Sequence, residues 1–289
     1  MVILMKNNTI EKTNIKILNK QYATLYKNNK VETKSVILYF HGGGLLYGDR
    51  NDLPETHIEK FCENNYAILS FDYRLAPKYK LPDIISDIIS SINWYIDNRY
   101  NLFKSELPYF LWGRSAGAYL SLLAAREDYR EKPLGILSYY GYGFMEDNWA
   151  NTPNPHYCKL PKVEEKIMND ILNKEDESIN NRYALYVYAR QSGNWFSLIY
   201  NEKVKYLLLN YSLRVGVDPK KYPPIFLTHS FYDPDVPCQE SRSIHELFPN
   251  SELFLVSSDE HDFDRFEEKS STAELLQKSL DFLNDNLSN

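Results

Sequence analysis

Two short runs of apolar residues, each ending at a cluster of glycines, constrain this chain more than any other feature. Ser35 to Phe40 (SVILYF) runs into His41-Gly42-Gly43-Gly44, and Tyr109 to Trp112 (YFLW) runs into Gly113-Arg114-Ser115-Ala116-Gly117. Side chains alternate sides along a strand, so a run without polar alternation needs apolar cover on both faces. Tyr66 to Phe71, Leu134 to Tyr139, Pro224 to Thr228 and Leu253 to Val256 read as further strands of this kind. Between them lie helical periodicities. Pro82 to Tyr95 carries Ile84, Ile85, Ile88, Ile89, Ile92 and Tyr95 at helical spacing, with proline where helices tolerate it. Ala116 to Ala125 also reads as a helix, and Thr272 to Leu283 places Leu275, Leu276, Leu280 and Leu283 on one face. Strands alternating with helices predict an α/β fold with a mainly parallel sheet flanked by helices.

The rhythm breaks between about Gly141 and Tyr222. This stretch has no clear buried strand, but has polar helical segments (Val163 to Asn173) and aromatic ones (Tyr183 to Tyr188). A structureless loop of that size is unusual in a compact domain. The expectation is a core built from residues 1–140 and 223–289, with 141–222 inserted as a helical cap. A length of 289 residues suits one large domain with such an insertion.

Composition removes several functional classes. The net charge of -6 offers no basic surface for phosphates, so no nucleic-acid partner is expected. Cys62, Cys158 and Cys238 are far apart and odd in number, which argues against a disulfide framework or a zinc site. The opening MVILMKNNTI holds too short an apolar run for a signal peptide, and no stretch approaches the roughly 20 apolar residues of a membrane span, so a cytoplasmic location is expected. The 24 tyrosines and 14 phenylalanines fit a tyrosine-rich surface, which would also suit a homodimer contact, or an aromatic pocket.

The glycine clusters carry chemistry. Gly113 to Gly117 is a G-x-S-x-G between a strand and a helix. There a sharp turn lifts Ser115 above the sheet edge, and the helix N-terminus offers N–H groups and a positive dipole end. By chance alone such a pentapeptide arises in roughly 4% of chains of this composition, and an H-G-G-G in roughly one in several thousand. The three consecutive glycines at 42–44 let backbone N–H groups approach a substrate oxygen without steric cost. No G-K-[ST] follows and no G-x-G-x-x-G is formed, which disfavours a phosphate-binding loop.

A serine nucleophile on such a sheet needs an acid and then a histidine later in the chain. After the strand Pro224 to Thr228 comes SFYDPDVP, where Asp233 is the first candidate and Asp235 the second. Only His245 and His261 follow. His245 lies in a predicted amphipathic helix, Ser241 to Phe248, and reads as a boundary residue. His261 lies in the loop after Leu253 to Val256, where catalytic groups of open sheets gather. His41, His57, His156 and His229 precede Asp233, and no histidine pair has an H-E-x-x-H arrangement, so no metal is expected.

Taken together, HGGG at 41–44, GRSAG at 113–117 and Asp72-Tyr73-Arg74-Leu75-Ala76-Pro77 resemble the hormone-sensitive-lipase-like esterases of the α/β-hydrolase superfamily. The resemblance covers about residues 35–140 and 222–285. It implies an eight-stranded core sheet and cofactor-free hydrolysis of short-acyl carboxylic esters through an acyl-enzyme. It also implies Ser115, Asp233 and His261 as the catalytic triad, an oxyanion hole from Gly43, Gly44 and Ala116, and a structural role for Asp72 in supporting the HGGG loop. The chain departs from the family where Arg114 replaces an acidic residue, in SFYDPDVP, and in the short segment before HGGG, from which no large N-terminal cap is expected. The same triad would serve an arylformamidase or a peptidase, and a catalytically silent small-molecule binder is the reading from another class.

Overall fold

The computed structural model describes residues 2–4, 9–17, 21–173, 178–200, 209–266 and 268–288. Among the described residues nine strands form one sheet: β1 (Val2–Leu4), β2 (Ile10–Lys16), β3 (Tyr22–Asn28), β4 (Ser35–Phe40), β5 (Tyr66–Phe71), β6 (Tyr109–Arg114), β7 (Ile136–Tyr139), β8 (Ile225–Ser230) and β9 (Ser251–Val256). Their order is β1-β2-β3-β5-β4-β6-β7-β8-β9. The six strands from β5 to β9 in that order are parallel, and β3, β2 and β1 add antiparallel at one edge. The expected eight strands are β2 to β9, and the three-residue β1 extends them.

Helices cover both faces. Val36, Leu38, Phe40 and Leu111 share one core with α2 (Leu81–Phe103) and α3 (Ala116–Ala124). Ile37, Tyr39, Phe110 and Trp112 share the other with α1 (Glu55–Glu63) and α8 (Ser270–Leu287). Alternate residues of one strand thus enter different cores, which is why β4, β5 and β6 read as unbroken apolar runs. Trp112 sits at the centre of the second core, edge-on to Tyr39, Phe61 and Tyr139 at 4.9, 5.2 and 5.3 Å between ring centres.

Between β7 and β8 lie α4 (Glu165–Asn173), α5 (Ile179–Ser192) and α6 (Trp195–Ile199), with no strand among the described residues. Helix α7 (Gln239–Leu247) follows β8. Trp195 and Tyr186 from this segment are buried in the first core, and the Trp195 indole donates to the Gly44 carbonyl at 2.8 Å. The predicted helices and strands all form; β4 and β5 keep their expected bounds, β7, α3 and α4 are slightly shorter, and α2, α5 and α8 extend furthest beyond their apolar periodicity. For α2 the extra turns end at Lys104, which takes a left-handed cap conformation (φ 57°).

The helix after the glycine-rich turn approaches the sheet more closely than any side chain permits. A Cβ on Gly117 would lie 2.0 Å from the Phe40 carbonyl oxygen, and one on Gly113 would lie 2.1 Å from the Gly117 carbonyl carbon. Alanine is normally preferred over glycine inside a helix by about 1 kcal/mol. Here the contact reverses that sign, so Gly117→Ala is expected to destabilise by at least the ~1–3 kcal/mol typical of overpacking. The urea midpoint should fall with an unchanged m-value, and a midpoint at or above wild type would refute the close-contact account.

Candidate active site

Ser115 begins α3 with φ 52° and ψ −117°, a left-handed conformation that is costly for a residue with a side chain. A helix-capping serine ordinarily turns its hydroxyl onto the backbone N–H groups of its own first turn. Here no such bond forms, while the Ser115 N–H donates to the Tyr139 carbonyl at 2.9 Å and so fixes the turn against β7. The hydroxyl is left facing His261, with Ser115 Oγ 2.9 Å from His261 Nε2.

His261 stands in the loop after β9, its side chain 17% exposed, with Nδ1 2.6 Å from Asp233 Oδ2. Asp233 lies in the turn after β8 and is held on all sides. Its Oδ1 accepts the N–H groups of Asp235 and Val236 at 2.8 and 2.9 Å, and His229 Nε2 lies 3.1 Å from Oδ2. Ser115, His261 and Asp233 therefore form one hydrogen-bonded line drawn from three loops at the carboxyl ends of β6, β9 and β8. Asp235, the second candidate acid, is engaged elsewhere. It accepts from Tyr157 and Tyr186 hydroxyls at 2.9 and 2.7 Å and from Arg190 Nε at 3.1 Å, tying the β7–β8 segment to the turn that holds Asp233. His245 lies on α7 and reaches Ser251.

Gly43 and Gly44 take φ 97° and 56°, and a Cβ on Gly44 would lie 2.2 Å from the Tyr186 ring. Among the described residues, no hydrogen bond engages the backbone N–H of Gly43, Gly44 or Ala116. Asp72 binds Arg50, six residues beyond Gly44, accepting its N–H at 3.0 Å and pairing its guanidinium. Tyr73 touches the glycine loop directly, donating its hydroxyl to the His41 carbonyl at 2.8 Å. Gly42 to Gly44, Ser115 and His261 line a cavity of about 90 Å³, closed by Tyr47, Tyr140 and Tyr186 and edged by Asp52, Arg114, Asp262 and Arg265. Tyr186 is the one lining residue contributed by 141–222 among those described.

Several participants escaped the sequence reading. His229 was excluded by chain order as a base, yet it supports the acid; its place at the end of a buried strand was the available signal. Arg114 is buried and donates from Nη2 to Asp264 Oδ1 at 2.8 Å. Neither partner has a signature in a single sequence. Among the described residues, no cluster of His, Cys, Asp or Glu could hold a metal ion, and no helix is long and apolar enough to cross a membrane.

A glycine-flanked serine on a left-handed turn, above a mainly parallel sheet with helices on both faces, defines the α/β-hydrolase fold. The chain belongs to the BD-FAE family, whose sequence profile matches residues 23–248. Lipase 2 of Moraxella sp. (strain TA144) is 33% identical over 112 residues, which is 37% of this chain and 25% of that protein. The chain thus spans about a quarter of that curated relative's length. A Staphylococcus aureus subsp. aureus Mu50 protein described as of unknown function superposes with a TM-score of 0.78 at 31% identity, over 96% of this chain and 99% of that one. An α/β-hydrolase superfamily protein from Enterococcus faecalis gives a TM-score of 0.80 at 27% identity, over 95% and 98%.

The charges of the line are set by its geometry. Burial opposes ionisation of Asp233, but the His261 charge and the hydrogen bonds of His229 and His261 outweigh it and hold the carboxyl well below the usual range. Burial likewise opposes protonation of His261, yet the Asp233 carboxylate outweighs it and raises the imidazole above 6.5. The Asp233 contribution to stability is therefore present above about pH 3.9 and lost as pH falls through its native value. The His261 contribution is present below about pH 6.5 and lost as pH rises through its native value. NMR titration of the imidazole should place His261 above 6.5 in the wild type and lower in Asp233→Asn; an unmoved midpoint would contradict the coupling.

Proposed function

We propose that the protein is a serine carboxylesterase that cleaves short-acyl carboxylic esters through an acyl-enzyme. The observation that carries this reading is the Ser115–His261–Asp233 line, with contacts of 2.9 and 2.6 Å, beside a glycine loop with unengaged N–H groups. Ser115 Oγ attacks the ester carbonyl while His261 Nε2 takes its proton. The backbone N–H groups of Gly43, Gly44 and Ala116 hold the tetrahedral oxyanion, each worth about 3 kcal/mol at the barrier. His261 then gives the proton to the departing alcohol, and Asp233 stabilises the transient imidazolium and fixes its tautomer. Water, deprotonated by His261, releases the acid and restores Ser115. A cavity of about 90 Å³ walled by tyrosines supports a small acyl group. The named activity of Lipase 2 supports ester hydrolysis as the reaction class.

In this reading residues 141–222 are a cap on a core of 1–140 and 223–289, fixed in place by Asp235 and by the Trp195 bond to Gly44. The free thiols of Cys62, Cys158 and Cys238 support a cytoplasmic location; most of the described tyrosines are buried rather than at the surface, so they lend the expected homodimer no support. Purified protein is expected to hydrolyse p-nitrophenyl acetate and butyrate faster than octanoate, and Ser115→Ala to lose turnover while keeping its urea midpoint. Undiminished hydrolysis by folded Ser115→Ala would sink the assignment, and a preference for octanoate would sink the short-acyl part of it.

A further inference from the structure

Resting on the serine reading above, we infer that Arg114 and Asp264 form a positioning pair that locks the loop of His261 to the strand end of Ser115. Arg114 immediately precedes Ser115, and Asp264 follows His261 by three residues in a short 3₁₀ turn, Phe263–Arg265. Their side chains are 2% and 0% exposed. Arg114 Nη2 donates to Asp264 Oδ1 at 2.8 Å, the Tyr140 hydroxyl donates to the same oxygen at 2.8 Å, and Arg114 Nε donates to that hydroxyl at 2.6 Å. The three side chains close a triangle. His57 on α1 completes it from the other side, with Nε2 2.9 Å from Asp264 Oδ2.

Tyr140 carries the constraint to the base. Its ring meets the His261 ring edge-on, with centres 4.8 Å apart and planes at 62°. Its backbone is itself fixed at φ 39° by a 2.7 Å bond to the Thr228 carbonyl on β8. The loop that bears His261 has no regular structure between Val256 and Phe263, so its position depends on such ties. A shift of about 1 Å between nucleophile and base can cost on the order of 100-fold in rate.

Stability alone does not account for the arrangement. Desolvating two charges cancels much of their attraction, and replacing a buried pair by apolar residues of similar size is often neutral or stabilising. What such a pair supplies is direction. The planar guanidinium accepts only a narrow range of placements for the carboxylate and the hydroxyl. Asp264 therefore links β6, the residue after β7, α1 and the His261 loop through one carboxylate.

The test uses three variants: Arg114→Lys, which keeps the charge but loses the fork; Tyr140→Phe, which keeps the ring but loses the hydroxyl; and the double variant Arg114→Met/Asp264→Leu, which leaves neither charge alone. kcat and KM for p-nitrophenyl acetate are measured per active site titrated to completion with an organophosphate, beside the urea midpoint. The expected result is a kcat lowered roughly 10- to 100-fold with KM within about twofold. The double variant should lose kcat without a matching loss of midpoint. Wild-type kcat per titrated site in folded Tyr140→Phe and Arg114→Lys would overturn the inference, as would losses confined to the midpoint. Wild-type protein that the organophosphate fails to label at Ser115 would overturn the serine reading itself, which separates the two failures.

Discussion

The whole site depends on one backbone contact: the first turn of α3 lies against the carboxyl end of β4 with nothing but glycine between them. Gly117 faces the Phe40 carbonyl, and Gly113 faces Gly117, so the helix, the strand that leads to Ser115 and the neighbouring strand approach to backbone distance. That approach brings the HGGG loop, which continues β4, alongside the α3 N-terminus. It also forces Ser115 into a left-handed conformation that its own helix cannot relieve, and the hydroxyl is thereby kept out of a capping bond. The electrostatic advantage of a helix N-terminus and the exposure of the serine oxygen follow from the same contact.

The acid turn after β8 does two jobs in three residues. Asp233 faces His261 and Asp235 faces the β7–β8 segment, while the N–H of Asp235 is bound by Asp233. Both carboxyl groups are surrounded by donors. Asp233 has two histidines and two backbone N–H groups, and Asp235 has one arginine and two tyrosines. Glu240 shows the contrasting case. It is buried among the N–H groups of Gly143 and Phe144 and the Trp149 indole, without a cationic partner among the described residues, and burial pushes it up to about 7 despite those three bonds.

Legibility followed the physics of burial. Strands β4 to β8 are covered on both faces, so their apolar runs were plain in the sequence. Ser115, Asp233 and His261 could be picked out by chain order, and the structure brings those three together rather than Asp235 or His245. The strands at the other edge were missed. Ile10–Lys16 (IEKTNIK) is polar because one side of it faces solvent, and Tyr22–Asn28 buries Thr24 against Asn14 and Asn51 instead of against an apolar layer. Helix α1 was missed because its short stripe of His57, Ile58, Phe61 and Cys62 includes a histidine that pairs with a carboxylate 207 residues away. Long-range polar pairs of this kind leave no periodicity, and Arg114 with Asp264 is another.

The anchoring of Asp235 bears on how such a protein can diversify. A segment such as 141–222 looks exchangeable between relatives, because both its ends enter from neighbouring strands. Yet Tyr157, Tyr186 and Arg190 all converge on a carboxylate that the receiving chain must supply two residues past its own acid. A recombinant that brings a foreign segment without those three groups leaves a buried carboxyl without its partners beside the Ser115–His261–Asp233 line. Viable crossovers therefore have to carry the segment and the acid turn together, and the inheritance unit for pocket shape is larger than the pocket.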